Sequence, residues 1–405
     1  SLDAVESCLL ALCQIVYTDI GPEAYRAIQP SVLNLLGKCF NEPRLHGVYD
    51  NILQLFVALL ARCPEVDQDM WFFFAPIAYS ILGPPKGSVT LVQTGLSPVQ
   101  LEILRSAAAL EHETLNIEIF LGAFGNFIQK NPSHFLQAVD PFGNPLIHFV
   151  FLTVDMLTKR GEGERADFDL IFAVKLLSFI PENCLPILKN QVIIFENVLK
   201  YYASYLSLDR SKTLTKVVLE KICGLMFMDC SFFLLVCKKT GLLEKFIYSL
   251  FGNIPLFSSS EERGMLILAI TGLFSLSPEE FPSIIPMNSL VSEMLKNVVW
   301  LAQCKKDGMP KDEAEEDKDA QPNDNESSET DDSDESWNEE NYIEEEEEID
   351  YKDPLEITEP VVELRAALEK VENTKPQFFV QIVGELKAED SKLLAECFKI
   401  FEAKP

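Results

Sequence analysis

Apolar residues recur along this chain with the period of a helix. Leu45, Val48, Ile52, Phe56, Leu59 and Leu60 fall on one helical face, as do Leu214, Val218, Ile222 and Leu225, and Leu290, Met294, Val298 and Leu301. Strand-type alternation is sparse, and its best example, Val192 to Phe195, lies inside a longer helical pattern. Ser97-Pro98-Val99-Gln100 and Ser277-Pro278-Glu279-Glu280 read as helix starts. Each offers an N-cap hydroxyl, a proline where a missing N–H costs nothing, and an acid or amide three residues after the cap. Asn131-Pro132, Asp140-Pro141 and Ile254-Pro255 mark further boundaries.

Helices placed between these marks form antiparallel pairs: roughly 3–18 with 22–40, 44–62 with 68–83, 98–130 with 142–160, 166–181 with 187–207, 211–224 with 230–252, and 259–276 with 286–305. The first helices of successive pairs start about 40 to 55 residues apart in most cases, the period of HEAT or armadillo repeats, whose pairs stack to cover their apolar faces. The fold class expected is therefore all-α, a HEAT-repeat-type α-solenoid, with a disordered acidic loop inserted near the C-terminus.

Two stretches interrupt the helical pattern. Residues 83–95 (GPPKGSVTLVQTG) read as an inserted loop, since their prolines and glycines stop a helix. Residues 311–353 are acidic and of low complexity, without the apolar content to offset the entropy of ordering them. Helical patterning returns afterwards with Val361, Leu364, Leu368 and Val371, then Pro376-Gln377-Phe378-Phe379, and a last helix from about Ala388 to Phe401. The expected organisation is helical repeats over 1–305, the acidic loop over 306–354, and helices completing the solenoid over 355–405.

Charge sharpens this picture. The 405 residues carry a net charge of −29 while 47% are hydrophobic, so a uniformly disordered acidic chain is excluded. From Asp312 to Asp353 there are 22 Asp and Glu against Lys318 and Lys352, so most of the excess sits in one tract. Such a balance excludes a direct nucleic-acid binder, which needs a basic footprint, and points to basic partners. The ten cysteines are scattered without a Cys-x-x-Cys pair and read as free core thiols in a reducing compartment, with Cys223, Cys230 and Cys237 at helical spacing. No apolar run reads as long enough to span a bilayer: the run from Gly264 to Leu276 is short, and that from Trp71 to Leu82 contains Pro76. With Ser1 in first position and no leader pattern, the chain reads as a soluble intracellular piece of something longer.

Catalytic constellations fail on inspection. His46, His112, His134 and His148 lie far apart and pair with no Cys or Asp at metal-ligand spacing. Gly83-Pro84-Pro85-Lys86-Gly87-Ser88 has its lysine before the glycine, and two prolines remove phosphate-binding N–H groups. Gly161-Glu162-Gly163 lacks a third glycine. No enzyme, cofactor or metal is therefore expected. The tract is different, because Trp337, Tyr342, Ile343, Ile349 and Tyr351 sit in a run that otherwise avoids apolar residues. Carboxylates neutralise cations multivalently and an aromatic ring adds cation–π contact, so acid plus aromatic suits a Lys/Arg-rich partner. The candidate site for basic cargo is Asp331, Asp332, Asp334, Glu335, Trp337, Glu339, Glu340, Tyr342, Glu344, Glu345, Glu346, Glu347, Glu348 and Asp350. Ser328 with Asp331, and Ser336 with Glu339, match an acid-directed phosphorylation pattern that would add negative charge.

The stretch Tyr49 to Leu82 resembles the paired helices of importin-7 and importin-8 type nuclear transport receptors of the importin-β (karyopherin-β) superfamily, at Tyr49, Ile52, Leu53, Val66, Met70, Trp71 and Pro76. The late acidic loop, Asp353-Pro354, Pro376 with Phe378 and Phe379, and the final helix are similar to the C-terminal end of that subfamily in order and spacing. The resemblance implies the C-terminal portion of a carrier that shields histones and ribosomal proteins during Ran-dependent import through nuclear pores. It also implies Ran-GTP binding mainly through an N-terminal region absent here, contacts with nucleoporin Phe-Gly repeats, importin-β itself as a further partner, and shuttling between cytoplasm and nucleus with transient residence at the nuclear envelope. The alternative is an acidic histone or ribosomal-protein chaperone on a helical-repeat scaffold, without a transport role.

Overall fold

A computed structural model describes residues 2–18, 20–83, 96–110, 117–160, 166–208, 210–307, 355 and 357–402. The described residues are almost entirely helical, and among them the one β-type pairing is the isolated bridge between Val139 and Pro145. The all-α class expected from the periodicity is what the chain adopts. The strand candidate at Val192 to Phe195 lies in a helix. Two compact units are present.

In the first unit, α1 (Leu2–Tyr17) and α2 (Pro22–Asn41) both pack on α3 (Tyr49–Arg62). Short α4 (Gln68–Phe72) and α5 (Phe74–Leu82) follow, and α5 lies against α6 (Pro98–Ala108), α7 (Ile117–Lys130) and α9 (Leu146–Arg160). α7 also covers α3, while α10 (Ala166–Leu188) packs on α7, α9, the short α8 (Pro132–Gln137) and α11 (Val192–Tyr205). The core is aromatic and aliphatic: Phe56, Phe74, Phe120, Phe124, Phe127 and Phe135 are almost wholly buried. Edge and tilted ring contacts such as Phe74 with Phe127, at 5.3 Å, add specificity to apolar burial.

The expected helix bounds hold where local chemistry decides them. Ser97 Oγ accepts from Gln100 N at 3.2 Å and Gln100 Oε1 accepts from Ser97 N at 3.0 Å, forming the expected capping box of α6. Long-range packing moves others. The single helix expected over 98–130 is two, α6 and α7. α10 runs through Pro181 and Pro186 instead of ending at 181. Each internal proline costs about 3 kcal/mol, and burial of Leu176, Leu177, Ile180 and Leu188, none of them solvent-exposed, returns about 2 kcal/mol apiece. The window Asp167–Leu188 also corrects the expectation that no apolar segment reaches membrane-spanning length; it has mean hydropathy 1.5, and 61% of it is packed inside the unit.

The break expected between 224 and 230 is present: Asp229, with φ −160° and ψ 83°, is non-helical and kinks α12 (Lys212–Thr240) into two helical segments. Its end is set by Gly241, whose φ of 72° is a left-handed cap that glycine adopts without strain. α13 (Leu243–Gly252) follows. Residues 212–225 and 232–249 belong to the first unit, where the Phe195 and Phe232 rings stack at 5.0 Å.

The second unit holds residues 226–231 with α14 (Ser260–Ser275), α15 (Met287–Asp307), α16 (Pro360–Thr374), α17 (Pro376–Gly384) and α18 (Ala388–Glu402). α14 packs on α15 and α16, α15 on α18, and α16 on α17 and α18. Ser259 and Glu262 form a capping box at the start of α14. The start expected at Ser277 does not propagate: Glu280 accepts from Ser277 N and Oγ, but residues 278–280 remain a turn and the helix begins only at Met287. Pro282 and Pro286 remove the donors that successive turns would need.

Candidate functional site

The candidate residues Asp331, Asp332, Asp334, Glu335, Trp337, Glu339, Glu340, Tyr342, Glu344, Glu345, Glu346, Glu347, Glu348 and Asp350 lie outside the described residues, as do Ser328 and Ser336. The 83–95 loop beyond Gly83, His112 and Gly161 to Gly163 also lie outside them. The helices on either side of the acidic stretch are α15 and α16, both in the second unit.

The helix that precedes the stretch, α15, is pinned by cations on aromatic rings. The Arg263 guanidinium of α14 lies 4.4 Å from the ring centroid of Trp300 on α15, and the Lys305 ammonium of α15 lies 4.4 Å from that of Phe401 on α18. Such contacts are each worth about 0.5–1 kcal/mol at exposed sites and fix the last turns of α15 before the tract begins. At the start of α16, Val361, Val362 and Arg365 line a hollow of about 110 Å³ with Phe398, Phe401 and Glu402 of α18. Arg365 ion-pairs with Glu402 across its rim and with Glu369 at 2.8 Å. The hollow is shallow and its one cation is already paired.

The cysteines and histidines of the described residues do not assemble into a centre. Cys13, Cys39, Cys63, Cys184, Cys223, Cys230, Cys237 and Cys397 are buried. Burial pushes the Cys39, Cys184 and Cys230 thiols up to about 12, with Asp50 adding at Cys39 and Asp229 and Glu280 adding at Cys230. Thiols held protonated in this way are poor nucleophiles and metal ligands, in line with their reading as core residues. His134 meets Trp71 in a tilted ring contact with centroids 4.4 Å apart, and burial lowers its pKa. His46 and His148 are exposed, and no group of three or more His, Cys, Asp or Glu suited to a metal ion is found among the described residues.

Sequence reading missed several polar groups in the first unit. Glu182 on α10 is nearly enclosed and pairs with Lys221 of α12 at 3.0 Å, and the buried Glu196 of α11 pairs with Lys239. Asp140 is buried, accepting backbone N–H bonds from Phe142 at 2.9 Å and Asn144 at 2.7 Å and a hydroxyl bond from Tyr79. A carboxylate interrupting an apolar helix face was the available signal for Glu182 and Glu196, and the Asp-Pro turn was the signal for Asp140. Each is satisfied by structural partners, so they organise the scaffold. No family model matches this chain, and neither a curated protein nor a solved structure does.

Proposed function

We propose that the chain is the C-terminal, cargo-binding region of an importin-7/8-like carrier, in which a HEAT-type solenoid presents an acidic tract that binds and shields basic proteins. The observation that carries this reading is the tract: 22 carboxylates against two lysines, with Trp337 inside, set between two helices of one packed unit. Carboxylates at that density attract a Lys/Arg-rich surface quickly and reversibly, and the aromatic residues add apolar contact. Two packing features support the scaffold half. α3 meets α7 and α7 meets α10, while α2 meets α6, so helices contact elements further along the chain as well as sequence neighbours. Stacked helix pairs have that property.

On this reading the tract residues Asp331 to Asp350 contact cargo such as histones and ribosomal proteins. Ran-GTP acts mainly through a region outside this chain, Phe-Gly repeats and importin-β are further partners, and the carrier shuttles between cytoplasm and nucleus. The deciding experiment is binding of a linker histone and a basic ribosomal protein to the chain with and without residues 312–353 across a salt series. Deletion should weaken binding at least about tenfold and flatten its salt dependence. Equal binding by the two forms would sink the proposal. Retention on immobilised Phe-Gly repeats then separates a transport receptor from an acidic chaperone, which has no use for them.

A further inference from the structure

Ser277-Pro278 is one of two Ser-Pro pairs in the chain, and Glu279 and Glu280 follow it. At the other pair, Pro98 is already helical and Ser97 caps the helix. At Ser277 no helix forms: Leu276 is extended, with ψ 156°, and Pro278, Glu279 and Glu280 make an exposed turn. A proline keeps the residue before it out of the helical region, and its missing N–H asks nothing of an enclosing cleft. The Ser277 hydroxyl therefore lies on a short extended segment between α14 and α15.

Opposite charges flank that hydroxyl, all within the second unit. Glu280 Oε2 accepts from Ser277 Oγ at 3.0 Å and from Ser277 N at 3.2 Å, while Glu280 Oε1 accepts from Ser231 Oγ at 2.7 Å. The carboxylate thus clasps residue 231 of α12 to the turn. On the adjoining backbone, Lys375 Nζ sits 2.9 Å from both Ser275 O and Leu276 O, one peptide unit from Ser277. The hydrogen bonds from Ser231 and Ser277 hold the Glu280 carboxyl below the usual carboxylate range, and Lys375 adds to them, so the field of the ammonium reaches the serine's own partner.

We infer that Ser277 is a phosphoacceptor for proline-directed protein kinases, and that Lys375 holds the phosphate once it displaces Glu280 from the turn. Ser277 Oγ attacks the γ-phosphorus of ATP, the bond to the β,γ-bridging oxygen breaks, ADP leaves, and the hydroxyl proton passes to the catalytic aspartate of the kinase. A group of charge about −2 then stands where Glu280 had a hydrogen-bond donor. Like-charge repulsion expels the carboxylate and opens its clasp on Ser231. The Lys375 ammonium, already in place, takes the phosphate through charge-assisted hydrogen bonds. This inference does not depend on the proposed cargo role.

The test is incubation of the full chain with ATP and, in turn, a mitogen-activated and a cyclin-dependent protein kinase, with the modified residues mapped by mass spectrometry. Phosphate at Ser277 is expected, absent in Ser277→Ala and added at least about tenfold more slowly in Pro278→Ala, which empties the pocket that reads the proline. The second readout is a phosphorus NMR titration of the phosphorylated chain. Lys375→Met, with helicity unchanged, should raise the second pKa of the phosphate by about one unit, because a neighbouring cation favours the dianion. No phosphate at Ser277 with either kinase, equal rates for Pro278→Ala, or a phosphate pKa that Lys375→Met leaves unchanged overturns the inference.

Discussion

Lys130 Nζ, at the last residue of α7, donates to Cys63 O at 2.7 Å and to Ala61 O at 2.8 Å. The ammonium thus sits on the unpaired carbonyls at the end of α3, where the helix dipole is negative. Two packed helices whose C-terminal ends meet run in the same direction. Lys375, following α16, repeats the device in the second unit, donating to Ser275 O and Leu276 O, each at 2.9 Å, at the end of α14. Each strap joins residues far apart in sequence and fixes two helices in parallel. Lys130→Met and Lys375→Met, which keep the apolar stem, should each lower stability by about 1 kcal/mol, read as an earlier urea midpoint. No change for either would show that the straps do not hold the helices.

Gly272 marks the tightest helix contact in the second unit. A Cβ built there would lie 2.1 Å from Met226 O and 2.8 Å from its carbonyl carbon, both backbone atoms that cannot rotate away. Gly272→Ala should therefore cost about 2–4 kcal/mol. Gly252→Ala is the control, because nothing lies within 4 Å of its Cβ position. That variant should be neutral or slightly stabilising in thermal denaturation.

Stability should fall in alkali before other chemistry intervenes. Cys39, Cys184 and Cys230 titrate at about 12 in the fold against 9.0 when unfolded, because burial disfavours the thiolate. The folded values are raised, so this stabilisation is complete below pH 9 and drains as pH climbs toward 12. Each thiol contributes about 1.4 kcal/mol per pH unit inside that window. Urea midpoints at about pH 8, 9.5 and 10.5 should decline steeply. Cys184→Ala should start lower yet decline less steeply, and an unchanged slope would remove that thiol from the account.

Tyr202 is wholly buried on α11 and its hydroxyl has no hydrogen-bond partner among the described residues. Burial, with Glu182 and Tyr205 nearby, pushes its pKa well up. Removing an unsatisfied buried hydroxyl relieves a desolvation cost. Tyr202→Phe should leave stability unchanged or raise it by about 1 kcal/mol. A loss of that size would show instead that a bound water satisfies the hydroxyl.

Much of the helical layout was legible in the sequence because its causes are local. A 3.6-residue apolar period and the Ser97 box act within a turn or two, and each reappears in the structure. The tract was legible for the same reason, since its charge density is a property of a short segment, although what it touches is not. Tertiary packing decided the rest. It carried α10 through Pro181 and Pro186, gave α1 its place on α3, and set Gly272 against Met226. Those outcomes depend on residues tens of positions apart, and buried area gained across such distances can outweigh a local proline or cap that no period records.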